Sequence, residues 1–173
     1  PTDEQLELHG THMQTVSAIT KKNHLTEMDF IRLQKALLMC RLAANSTYLV
    51  DKQAPGYSTK LEKLHELIDQ LSGEPGRKVI LFSEWTRMLD LVEEKLKAVG
   101  VGFVRLDGSV PQRKRQQLVK DFQGKPDCRF IIMTNAGSTG LNLQAADTVI
   151  NVDLPWNPAI LEQRIARAHL GLL

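Results

Sequence analysis

Cysteine is scarce in this chain of 173 residues: Cys40 and Cys128 stand far apart, without a CxxC pair or a His/Cys ligand spacing. That pattern fits a reducing compartment and supplies no metal site. The five histidines are equally scattered. No apolar run approaches the roughly 20 residues that cross a bilayer, and the opening PTDEQLELHG has no basic-then-apolar signal pattern. A soluble, intracellular protein without a membrane partner is expected. Charge of one sign is lacking too, because 22 Lys and Arg against 20 Asp and Glu leave a formal +2. Composition is therefore neutral on nucleic acid. Chemical motifs are also missing. With no GxxxxGK[ST] loop to cradle phosphates and no Asp-Glu pair at a strand end to hold magnesium, the chain cannot assemble a P-loop ATP site. GxSxG, HExxH and GxGxxG are absent, which leaves hydrolase, zinc-protease and dinucleotide readings without an anchor.

What is present is an apolar fraction of 42%, enough for one globular α/β core with an appendage. From Asp3 to about Val50 apolar residues recur at helical spacing, among them Met28, Ile31, Ala36, Leu37 and Cys40. Thr26, with acids following, marks a helix start. A break at residues 51–56 places a boundary near Gly56, separating a helical extension (1–56) from a second domain (57–173). Ser58 can cap a helix that carries Leu61, Leu64, Ile68 and Leu71 on one stripe and ends near Gly73. From Lys78 onward, short β-branched runs (79–82, 103–106, 130–134, 148–153) alternate with amphipathic helices (84–99, 111–122, 159–169), with a turn of helix expected near Leu141. Such alternation predicts a three-layer α/β/α domain around a parallel sheet. Ligands of such sheets bind beyond the strands' carboxyl ends.

Four blocks carry chemistry. Lys78-Val-Ile-Leu-Phe-Ser-Glu-Trp-Thr-Arg-Met-Leu-Asp90 is a strand running into a helix. Arg105-Leu-Asp-Gly-Ser109 is followed by Arg115 and Phe122. Thr134-Asn-Ala-Gly-Ser-Thr-Gly-Leu-Asn-Leu143 is glycine-rich. Asp153-Leu-Pro-Trp-Asn-Pro158 leads to Glu162-Gln-Arg-Ile-Ala-Arg-Ala-His169. In order and spacing these blocks resemble the second RecA-like lobe of SWI/SNF-type DNA translocases in helicase superfamily two. Residues 33–51 are similar in spacing to the helical protrusion before that lobe. Glu84, Asn135 and Ser138 depart from the family pattern, which has Gln, Arg and Gly there.

The resemblance implies a lobe that works with an N-terminal RecA-like lobe of the same protein. That partner lobe holds ATP and Mg2+, and the pair moves along double-stranded DNA against a DNA-bound protein target. It implies catalytic roles for Arg167 and Arg164, ATP-cleft positions at Gly140, Asn142 and Gln163, and DNA contacts from Thr134, Gly137, Trp156, Arg113 and Arg115. A bacterial cytoplasm or nucleoid is expected ahead of a nucleus.

Each residue also has a plainer reading. Gly137 and Gly140 can simply permit positive φ. Arg115 can make a structural ion pair, Trp156 can pack its indole in a rigid turn, and Arg164 with Arg167 can be a solvated pair on one helix face. Leu170 stands where the family carries a second arginine, through either residues absent after His169 or a genuine variant. The rival overall reading is a free-standing α/β binding or regulatory module, since fold alone does not fix function.

Overall fold

The computed structural model describes residues 1–51, 56, 58–138, 141 and 143–167. Two compact units divide the chain, Pro1–Leu64 and His65–Leu173.

The first unit is helical, with α1 (Asp3–Thr20), α2 (Glu27–Asn45), α3 (Thr47–Val50) and the first residues of α4 (Thr59–Gly73). Capping sets these boundaries. Thr2 and Thr26 each form a capping box, with Gln5 and Asp29 as the reciprocal partners. Gln5 is buried and its amide donates to the Ala43 carbonyl at 2.8 Å, which ties α1 to α2. Ser58 accepts from the Leu61 backbone N–H at 2.9 Å, starting α4 where the sequence suggests.

Asp29 is the most perturbed carboxylate of this unit. Lys22 Nζ lies 2.6 Å from it, and the Thr26 backbone N–H and hydroxyl donate at 3.1 and 2.9 Å. The Lys22 bond first, and the Thr26 bonds after it, lower its pKa to about 2. Because the folded value is depressed, its contribution is complete above the unfolded carboxylate value of about 3.9 and is lost as pH falls through about 2. Asp29→Asn should therefore melt earlier than wild type by a constant margin at neutral pH, and that margin should close as pH approaches 2. A margin independent of pH would show that Asp29 acts through packing alone.

The second unit holds a four-stranded parallel sheet in the order β2-β3-β1-β4, from β1 (Val79–Phe82), β2 (Gly102–Leu106), β3 (Cys128–Met133) and β4 (Thr148–Asn151). Helices α5 (Thr86–Val99) and α6 (Gln112–Gly124) follow β1 and β2. The β1-to-β2 and β2-to-β3 connections run in opposite directions across the sheet, so right-handed crossovers place α5 and α6 on opposite faces. Strand alternation fills both faces. Ile80, Phe82, Ile131 and Met133 join Val104, Leu106 and Phe122 in one buried cluster, which extends to Leu143 and Ala146. Val79, Leu81, Phe130 and Ile132, paired across β1 and β3, point the other way and are equally buried. On α5, Met88, Leu89, Val92 and Leu96 form the buried stripe. Gly100 closes that helix at φ 78°, its N–H and that of Val101 both donating to the Leu96 carbonyl.

Two elements differ from the sequence expectation. The turn of helix expected near Leu141 forms earlier, as α7 (Asn135–Ser138), directly after β3. The last helix, α8 (Pro158–Ile165), stops short of Arg167. Asn157 caps it by accepting from the Ala159 N–H at 3.0 Å, and Pro158 occupies its first position.

Candidate functional site

All four strands are parallel, so their carboxyl ends share one edge. Each is followed by a buried polar residue: Ser83, Asp107 and Thr134 directly after β1, β2 and β3, and Asp153 two residues after β4. Buried polar groups are costly unless paired, and here they are paired. Ser83 Oγ donates to Asp153 Oδ2 at 2.6 Å, and the Glu84 N–H donates to the same carboxylate at 3.0 and 3.2 Å. Asp107 accepts from the Ser109 N–H and hydroxyl at 2.9 and 2.5 Å, and from Arg105 Nε at 2.9 Å. Burial pushes the Asp107 carboxyl up, but the Ser109 and Arg105 bonds outweigh it and hold its pKa below the usual carboxylate range. Arg105 is itself pinned by Asp90 at 2.7 Å and Glu93 at 3.1 Å.

Among the residues expected to face DNA, Arg113 is exposed in the first turn of α6, where no side chain caps the helix. Arg115 does something the sequence did not suggest. Its guanidinium donates to three backbone carbonyls, of Val110 (2.9 Å), Ala136 (3.0 Å) and Asp107 (3.3 Å), latching the start of α6 to α7. No ion pair is needed for this; the carbonyls orphaned at the turn and at the short helix take the charge. Thr134 is buried, and its N–H donates to the Leu106 carbonyl at 3.1 Å. Gly137 lies within α7 in right-handed helical conformation, so the positive-φ turn reading does not apply to it. Trp156 is 85% exposed beside Leu154 at 66%, and the buried-indole reading fails: the Asn157-Pro158 cap turns the chain into α8 and leaves the ring outside.

The two arginines of the last block part company. Arg167 follows the Ala166 C-cap, and its guanidinium donates to the Leu141 carbonyl. With Gln163, Ala166 and Leu141 it lines an open cleft of about 320 Å³. Gly140 and Asn142, expected at the same cleft, lie outside the described residues, as does 168–173 with its question of a missing arginine. Arg164 is 2% exposed and faces inward, because burying the neighbouring carboxylate of Asp153 requires a cation within reach. The shared surface face expected of Arg164 and Arg167 is thus not formed. Among the described residues no group of three or more His, Cys, Asp or Glu could hold a metal ion.

Ser83, Asn151 and Asp153 were given no role from the sequence, and Asn135 stood out only as a departure from the family pattern. The available signal was a polar residue at or just beyond the end of each β-branched run.

Residues 59–170 match the helicase conserved C-terminal domain family. The human SWI/SNF-related matrix-associated actin-dependent regulator of chromatin, subfamily A member 1, is 36% identical over 160 residues, covering 85% of this chain and 15% of its own length. The chromatin-remodeling ATPase INO80 of Emericella nidulans is 47% identical over 113 residues, 65% of this chain and 7% of the relative. The chain thus spans a small part of either relative. In structure, the Sulfolobus solfataricus SWI2/SNF2 ATPase C-terminal domain superposes with a TM-score of 0.77 at 23% identity, covering 91% of this chain and 70% of that one. The SWI2/SNF2 ATPase core of the same organism, in complex with double-stranded DNA, gives 0.76 at 22% identity over 96% of this chain and 36% of its own. The RecA-like α/β/α fold expected from the sequence is the fold these structures share. One expectation is overturned. The relatives are chromatin proteins of Homo sapiens and Emericella nidulans, and chromatin is the packaged DNA of the eukaryotic nucleus, so the preference for a bacterial cytoplasm or nucleoid does not stand.

Proposed function

We propose, from the premise that this chain belongs to the helicase conserved C-terminal domain family, that it is the second motor lobe of an ATP-driven double-stranded DNA translocase that remodels DNA-bound protein. The observation that carries the reading is the cleft at the end of α8, which Gln163 and Arg167 line together with Leu141. An amide and a guanidinium on one open wall suit the polyphosphate of a nucleotide presented by another lobe. ATP supplies the reactive phosphoryl group. Magnesium and the phosphate cradle come from the N-terminal lobe.

In this mechanism Arg167 leaves the Leu141 carbonyl when the lobes close. It then donates to phosphate oxygens whose charge grows in the transition state. Gln163 orients the nucleotide from the same wall. At the opposite task, Arg113 and the uncapped start of α6 meet backbone phosphates. Thr134 and Gly137 position the turn after β3, and Trp156 presses its apolar ring against the duplex.

The isolated chain should therefore show no ATP turnover above background. It should bind double-stranded DNA weakly and without sequence preference, with a log–log salt slope of about −2 to −3 for two or three phosphates. Fluorescence anisotropy across a salt series, together with a phosphate-release assay, tests both. DNA-stimulated turnover by the chain alone, or sequence-selective binding that persists at high salt, would overturn the assignment.

A further inference from the structure

Arg164 is one of the largest fully buried side chains of the molecule, yet it is the only charged one among them within the described residues. A guanidinium kept from water needs acceptors in fixed positions, and the fork-shaped group can serve several at once. Its Nε donates to Asn135 Oδ1 at 2.9 Å, and one terminal nitrogen donates to Asn151 Oδ1 at 3.2 Å and to the Asp153 carbonyl at 2.8 Å. The other terminal nitrogen stands 4.0 Å from Glu84 Oε1 and from Asp153 Oδ1. The guanidinium carbon lies 5.2 Å from the centre of the Phe82 ring.

These partners come from separate segments with separate tasks. Asn135 opens α7 after Thr134. Asn151 ends β4, and Asp153 two residues on leads into the Leu154–Trp156 turn. Phe82 ends β1 and Glu84 follows it by two residues. Arg164 itself sits on α8, one residue from Gln163 and three from Arg167. A shift of α8 by even an ångström breaks these bonds or drags the other segments with it, because a buried network of this kind has few intermediate arrangements.

We propose that Arg164 is a positioning residue that couples the DNA-facing segments, α7 and the Trp156 turn, to the nucleotide-facing wall of α8. It touches neither DNA nor nucleotide. It makes the placement of Arg167 depend on what DNA does to Asn135 and Asp153. This assignment replaces a catalytic role for Arg164 and rests on the motor-lobe reading above.

The test uses the full two-lobed protein. Arg164→Lys keeps a cation in the site but cannot reach three separate acceptors, and Asn135→Ala removes one acceptor from a half-buried position. Basal and DNA-stimulated turnover are measured for each, with base pairs moved per ATP from triplex displacement. The stimulation ratio should fall about tenfold in Arg164→Lys and about threefold in Asn135→Ala, magnitudes usual for lost coupling between sites. Base pairs per ATP should fall in the same order. A merely structural role lowers basal and stimulated rates by one common factor, so an unchanged ratio in both variants overturns the proposal. If Arg164→Lys does not fold, the ratio in Asn135→Ala decides alone. A wild type that shows no stimulation by DNA would overturn the motor-lobe reading, and this inference with it.

Discussion

Arg167→Ala in the two-lobed protein should reduce ATP turnover on the order of a thousandfold while leaving DNA affinity within about a factor of two, as expected for an arginine that meets charge mainly in the transition state. The side chain is placed for that task. It emerges past the end of α8 on the wall of an open cleft, and among the described residues its guanidinium donates to the backbone carbonyl of Leu141. A neutral carbonyl is a weak competitor for a guanidinium against a phosphate oxygen. Release costs little, and the gain comes only when the phosphate arrives. Arg167→Lys should recover little, because an ammonium lacks the planar fork. Turnover and DNA affinity measured on the same preparations separate this from a folding defect, which would lower both. Wild-type turnover in Arg167→Ala would remove the finger assignment and leave Arg167 a surface residue bound to a loop carbonyl.

The fold was legible in the sequence because its signals are local. Four β-branched runs separated by amphipathic helices define a parallel sheet, and the observed strands lie within two residues of the expected ones at each end. The four motif blocks carried the family, and the match over residues 59–170 bears that resemblance out. Side-chain destinations were less legible, because they depend on contacts far apart in sequence. Helical spacing puts Arg164 and Arg167 near one face, but α8 ends between them, and the end is set by contacts spacing cannot reveal. Arg115 looked like an ion-pair or phosphate residue, yet its three acceptors are carbonyls, one of them 21 residues away in α7. Trp156 is the converse case. Asn157 followed by Pro158 is a readable helix start, and a start at that point leaves the residue before it outside the helix and exposed.

Asp153→Ala should destabilise the second unit by about 3 to 5 kcal/mol, since it removes one partner of a buried charge cluster and leaves the other behind. The carboxylate is buried and accepts from the Ser83 hydroxyl at 2.6 Å and the Glu84 N–H at 3.0 Å, with the Arg164 guanidinium 4.0 Å away. Without it, a hydroxyl and a backbone N–H lose their acceptor and the buried guanidinium loses one of its two nearby carboxylates, keeping that of Glu84 at 4.0 Å. A melting midpoint lower by on the order of 10 °C is expected for a chain of this size. Ser83→Ala removes a single hydrogen bond from the same cluster and should cost only about 1 kcal/mol. The contrast is the informative measurement. If the two variants melt alike, the Asp153 carboxylate contributes no more than one ordinary hydrogen bond, and Arg164 is held in place by Asn135, Asn151 and the Asp153 carbonyl without it. If Asp153→Ala alone collapses the unit, the end of β4 is anchored by charge. The exposed turn that carries Trp156 then stands on the same buried carboxylate that closes the end of β1.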